Sequence, residues 1–130
     1  MRLFFTVLVA LILSADYSFA KPNLDVNDSN VELSYDKDDL EDAIESALSY
    51  IKKGIYADSL DELKYYARKA KNYASEAEDI ADDLGLDDVE DYSYDGYRYA
   101  RAAEGASSMD DAVISLAKAR RAMQNAYDEL

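Results

Sequence analysis

A chain of 130 residues with 28 acidic and 14 basic side chains carries a formal charge of −14 at neutral pH. Such a charge repels nucleic acid and anionic lipid, so neither is an expected partner. The chain has no cysteine and no histidine, which excludes disulfides and thiolate chemistry and removes the usual general base and the commonest transition-metal ligand.

The N-terminus pairs Arg2 with an apolar run from Leu3 to Leu13 and ends in Ser18-Phe19-Ala20. Charge, a short hydrophobic core and small residues at the cleavage positions predict a signal peptide over residues 1–20. The run is too short to span a bilayer. The expected product is periplasmic or secreted, starts at Lys21, and has no membrane attachment once the signal is cleaved. Residues 21–34 hold the chain's one proline and no helical period, and are expected to form a flexible leader. Asn27-Asp28-Ser29 matches the glycosylation pattern, which matters only on a eukaryotic secretory route. Asp25, Asn27 and Ser29 have the spacing of a calcium loop, but Asn30 stands where that loop needs glycine.

Four helices are expected over residues 35–130. The first runs from about Asp36 to Lys53, with Leu40, Ala43, Ile44, Ala47, Leu48 and Ile51 on one face and Gly54 as its C-terminal cap. The second starts at Ser59, where Ser59-Leu60-Asp61-Glu62 reads as a capping box, and ends at Gly85. Its apolar residues Leu60, Leu63, Ala67, Ala70, Ala74, Ala77, Ala81 and Leu84 alternate steps of three and four, a heptad seam that other helices must cover. The third begins at Asp87 or Asp88, ends near Gly105, and presents Val89, Tyr92, Gly96, Tyr99, Ala100 and Ala103. The fourth runs from Ser108 to the C-terminus on a seam of Met109, Ala112, Leu116, Ala119, Met123, Ala126 and Leu130. All three phenylalanines precede residue 20 and tryptophan is absent, so Leu, Ile, Val, Ala and Tyr must build the core. Alanine seams bury little area each, and modest stability follows.

The chain also matches itself at a shift of 49 residues. Asp38-Asp39-Leu40-Glu41-Asp42 aligns with Asp87-Asp88-Val89-Glu90-Asp91, and Ser59-Leu60-Asp61-Glu62 with Ser108-Met109-Asp110-Asp111. Tyr50 aligns with Tyr99, Lys69-Ala70 with Lys118-Ala119, and Ala77 with Ala126. The expectation is an all-α, up-down-up-down four-helix bundle made from a duplicated helical hairpin, 36–84 and 87–130.

Two patches carry a family resemblance. Asp39-Leu40-Glu41-Asp42 resembles the start of the first helix of the soluble cytochrome b562 family, and Asn125-Ala126-Tyr127 a triplet near the end of its last helix. The resemblance implies a periplasmic four-helix haem protein. It also implies haem-iron ligands, a methionine and a histidine, at the positions held here by Ile44 and Asp128. Neither residue is a haem ligand, so no cofactor is expected, and haem electron transfer with unconventional ligands is the alternative.

The topology would sort the charges. One end would gather Asp38, Asp39, Asp42, Asp82, Asp83, Asp87, Asp88 and Asp91, together with Asp128 and Glu129, with Lys37 as its only base. Acids at helix starts oppose the helix dipole, but Asp82, Asp83, Asp128 and Glu129 stand at helix ends, where negative charge is disfavoured. That mismatch predicts an acidic docking face for a basic protein or divalent cations. Tyr65-Tyr66 and Tyr92, Tyr94, Tyr97 and Tyr99 form a second patch, suited to stacking on sugars or peptides, with about half of these rings expected simply to pack. No paired carboxylates in an apolar cleft are evident, and no enzymatic activity is expected.

Overall fold

A computed structural model describes residues 34–130 of the chain. The expected signal peptide, most of the expected leader, the glycosylation pattern and the calcium-loop fragment lie outside the described residues. The expected helices form as α1 (Lys37–Ile55), α2 (Leu60–Leu84), α3 (Asp87–Glu104) and α4 (Met109–Asp128). None of the helices in the described part is long and apolar enough to cross a membrane.

Each helix starts where local chemistry directs it. At α1, Asp36 Oδ1 accepts from the Asp39 amide and Asp39 Oδ2 from the Asp36 amide, both at 3.0 Å, a complete capping box. At α2, Ser59 Oγ accepts from the Glu62 amide at 3.1 Å. The return bond expected of Glu62 goes instead to the amide of Asp58, at 3.4 Å, so that box is half formed. At α4, Ser108 Oγ accepts from the Asp111 amide at 3.2 Å.

Gly85 ends α2 in the left-handed region, φ 71°. The Leu86 amide donates to the Ala81 carbonyl at 2.9 Å and the Gly85 amide to Asp82 at 3.0 Å, the pattern of a Schellman motif. Leu86 then serves as the N-cap of α3 and supplies no side-chain bond. The first amides of α3 rely on Asp87, Asp88 and Glu90 to offset the dipole.

Gly54 does not cap α1. The helix continues to Ile55 and is capped at Tyr56, with Gly54 buried inside it. A Cβ at residue 54 would lie 2.5 Å from Leu116 Cδ1 of α4 and 3.4 Å from Tyr66 Cβ of α2. The glycine thus leaves room for Leu116 of α4, a tertiary contact that a local reading of Lys-Lys-Gly cannot see.

Tyr35–Leu130 form one compact unit in which α1 packs on α2 and α4, and α3 on the same two helices. The α2 seam is buried from Leu63 to Ala81, with Leu60 and Leu84 half-buried at its ends. Ile80 joins it. On α4 the buried residues are Ala112, Leu116, Ala119, Ala122, Met123 and Ala126. On α3 the buried face is Val89, Ser93, Gly96, Ala100 and Ala103, with the expected Tyr92 and Tyr99 only half-buried. Tyrosine's hydroxyl favours a position that is apolar at one end and wet at the other, which turns the helix toward Ser93. Alanine dominates the buried surface, so helix axes approach closely while each contact buries little area.

The 49-residue spacing recurs in the hydrogen bonds. The Tyr56 amide donates to Lys52 O at 3.2 Å, and the Gly105 amide to Arg101 O at 3.1 Å. The next pair, Ala57 to Gly54 and Ala106 to Ala103, measures 3.1 and 3.2 Å. The α1–α2 and α3–α4 connections therefore share one backbone pattern.

Candidate functional site

The last turns of α2 and the first turns of α3 bring acids together. Partial burial raises the Glu78 carboxyl above its ordinary 4.5, and the charges of Asp79, Glu90 and Asp82 raise it further. Glu90 is raised in the same way, by burial first and then by Asp82, Asp91 and Asp87. No ion pair among the described residues involves this group.

The eight acids of the expected docking face divide accordingly. Asp82, Asp87 and Asp91 belong to the group around Glu78 and Glu90. Asp88 shares with Asp87 and Glu129 a shallow depression of about 380 Å3 at the start of α3. Asp38, Asp39, Asp42 and Asp83 are exposed, and Asp39 is occupied in the α1 cap. Among the described residues no three acids converge as a metal ion would require.

The placement of Glu129 accounts for part of the dipole mismatch. It ends α4 but lies beside the uncapped first turn of α3, where a negative charge is favourable. Nearby, Lys37 Nζ donates to the Leu130 carbonyl at 2.7 Å, placing a cation at the end of α4. Tyr127 Oη donates to Glu41 Oε2 at 3.0 Å. That bond, with the charges of Glu41 and Glu45, raises the Tyr127 phenol above its ordinary 10.0.

Away from this region, Glu104 at the end of α3 joins two cations of α2. Its carboxylate accepts from Lys71 Nζ at 2.6 Å and from Arg68 Nε at 2.8 Å. The Lys71 bond, then the Arg68 bond, hold Glu104 below the ordinary carboxylate value against the effect of partial burial.

The two positions implied as haem ligands do not fit that cofactor. Ile44 is fully buried in the core and offers no donor atom. Asp128 is exposed and accepts from Gln124 Nε2 at 3.0 Å. Ser93, which stands 49 residues after Ile44, is also fully buried, and its Oγ has no hydrogen-bond partner. Nothing in the periodicity pointed to it, because a lone serine on an alanine-rich face reads as small rather than polar.

The tyrosines separate into a filled groove and an open one. On the outer face of α1 and α2, Tyr50 stacks on Tyr73 with centroids 5.7 Å apart and planes 7° apart, and on Tyr66 at 6.2 Å. Tyr65 meets Tyr66 edge to face at 5.4 Å. On α3, Tyr94 stacks on Tyr97 with ring centroids 6.2 Å apart. Tyr99 there has cations beside its ring, Arg98 at 5.4 Å and Lys118 at 5.8 Å. A groove of about 490 Å3 opens next to it, bordered by Tyr92, Asp95, Ile114, Lys118, Arg121 and Ala122. Ile114 is 55% exposed there. The sequence singled out Tyr92 and Tyr99 but not the α4 side of the groove.

No family model matches the chain, and neither a curated protein nor a solved structure matches it. Nothing in these comparisons links the chain to the soluble cytochrome b562 family, and the resemblance rests on its two short patches of sequence alone.

Proposed function

We propose that the chain is an exported, non-enzymatic four-helix bundle, running up-down-up-down from a duplicated hairpin, whose acidic end docks a basic protein. One observation carries this reading. Glu78, Asp82 and Glu90 stand together at the α2–α3 junction, where partial burial first and then repulsion from neighbouring acids raise the Glu78 and Glu90 carboxyls, and no ion pair among the described residues includes them. Such self-repulsion costs stability, and a partner rich in Lys and Arg relieves it while gaining a complementary surface. Divalent cations are the other occupant of the acidic end. The described carboxylates do not converge in threes, which favours the diffuse charge of a protein over a bound ion.

The test uses decalysine as the probe at low salt. The protein should bind it with an affinity that falls as salt rises. Replacing Asp82, Asp83, Asp87 and Asp88 by Asn should remove most of that binding with helicity unchanged. Equal binding by the quadruple variant would defeat the docking reading. Melting that shifts with calcium in the parent and not in the variant would favour the cation instead.

A further inference from the structure

The open groove beside Tyr99 differs from its counterpart in the first hairpin by specific side chains. At a shift of 49 residues Tyr99 corresponds to Tyr50, Lys118 to Lys69, Ile114 to Tyr65 and Ala122 to Tyr73. In the first hairpin the Tyr73 ring lies nearly parallel to Tyr50, 5.7 Å away. In the second, Ala122 supplies no ring, and the space beside Tyr99 is left as the groove. The same fold thus closes one groove with its own phenol and leaves the other open.

The border of the groove has a definite charge. Asp95, the one acid there, is paired with Arg98 at 2.6 Å. Lys118 and Arg121 are exposed and take part in none of the ion pairs of the described residues. Arg121 stands where the first hairpin has the neutral Asn72. An aromatic wall, an exposed isoleucine and two unpaired cations make a site for a ligand that is flat and apolar on one side and anionic at its edge. The volume lies in the ~300–1,000 Å3 range of small-molecule sites.

We infer that this groove binds a small planar aromatic anion, with its ring on Tyr99 in the place that Tyr73 takes over Tyr50 and its acid group on Lys118 and Arg121. The rest of the chain repels anions, so the contact must be local. Arginine and lysine close to the ring supply that contact at short range, where bulk repulsion is screened.

The experiment is titration calorimetry of the purified protein with 2-naphthoate, and with the neutral 2-naphthamide as its control, alongside circular dichroism. The naphthoate should bind, and the amide should bind roughly tenfold more weakly, since it forgoes charge-assisted hydrogen bonds. Ala122→Tyr should fill the groove as Tyr73 fills its counterpart, abolishing binding while helicity is kept. Lys118→Gln with Arg121→Gln should bring naphthoate down to the level of the amide. The exposed positions 118 and 121 tolerate substitution, so this pair decides the matter even where Ala122→Tyr fails to fold. Equal binding of the two probes to the parent, or naphthoate binding untouched by either variant, would overturn the inference. Capture of a tyrosine-bearing acidic peptide with no binding of naphthoate would also overturn it, in favour of a protein segment in the groove.

Discussion

Met123 of α4 lies across the bare Cα of Gly96 on α3, so close that a Cβ at residue 96 would meet its Cγ at 2.9 Å and crowd its sulfur. The counterparts of this pair 49 residues earlier are Ala47 and Ala74. The first hairpin thus places two alanines where the second places nothing and a methionine. Gly96→Ala should gain about 1 kcal/mol of helix propensity and lose roughly 1–3 kcal/mol to overpacking, a net destabilisation. Met123→Ala alone should cost about 2–5 kcal/mol through the cavity it leaves. The double variant restores the pairing of the first hairpin and should be more stable than the sum of the two single changes implies. Urea denaturation of all four proteins closes the cycle. Simple additivity would show that the two residues do not share the space.

What was legible in the sequence follows from which forces are local. The seam from Leu63 to Ala81 and the Ser59 and Ser108 caps are set by periodicity and by bonds across three residues, and the helices form where these place them. Gly54 looked like a cap because glycine after two lysines is a local stop signal. Its true constraint is Leu116, which lies on another helix. The half-formed box at Ser59 is a local matter, since Glu62 accepts from the amide of Asp58. The acids of the expected docking face could be counted from the sequence. Their grouping around Glu78 and Glu90 needed α2 and α3 side by side. The groove beside Tyr99 was latent in the 49-residue alignment, but in its mismatches. Matches such as Tyr50 with Tyr99 mark positions that recur at that shift. A change from Tyr73 to Ala122 marks where the two halves differ in what they leave open.

Ser93 presents a separate opportunity. Its hydroxyl is fully buried and has no partner, which costs about 1–3 kcal/mol of desolvation. The corresponding position in the first hairpin holds Ile44, an apolar residue. Ser93→Ala removes the orphan hydroxyl without adding volume and also improves helix propensity. The variant should be about 1 kcal/mol more stable than the parent, read as a higher urea midpoint at an unchanged slope. A lower midpoint would mean that the hydroxyl is satisfied in solution.

The acidic junction and the Glu104 bridge predict opposite responses to pH. Glu78 and Glu90 have raised carboxyls in the fold, so the folded chain holds their protons more tightly than the unfolded one. Their contribution is fully present below the ordinary 4.5 and is lost as pH rises through their raised values. Glu104 is lowered, so its contribution is present above 4.5 and is lost as pH falls through its lowered value. Acidification from neutrality toward the ordinary carboxylate value of 4.5 should therefore raise the melting temperature, and acidification below 4.5 should lower it as the Arg68–Glu104–Lys71 bridge is discharged. The general repulsion of an acidic chain also eases on acidification, so the parent curve alone does not isolate the junction. Glu78→Gln with Glu90→Gln should flatten the rise, and Glu104→Gln should remove part of the fall. The bridging side chains are partly exposed to solvent, so the change at Glu104 will be small, and added salt will diminish it. A Glu78→Gln, Glu90→Gln variant that keeps the full slope from neutrality down to 4.5 would show that the fold does not raise these two carboxyls.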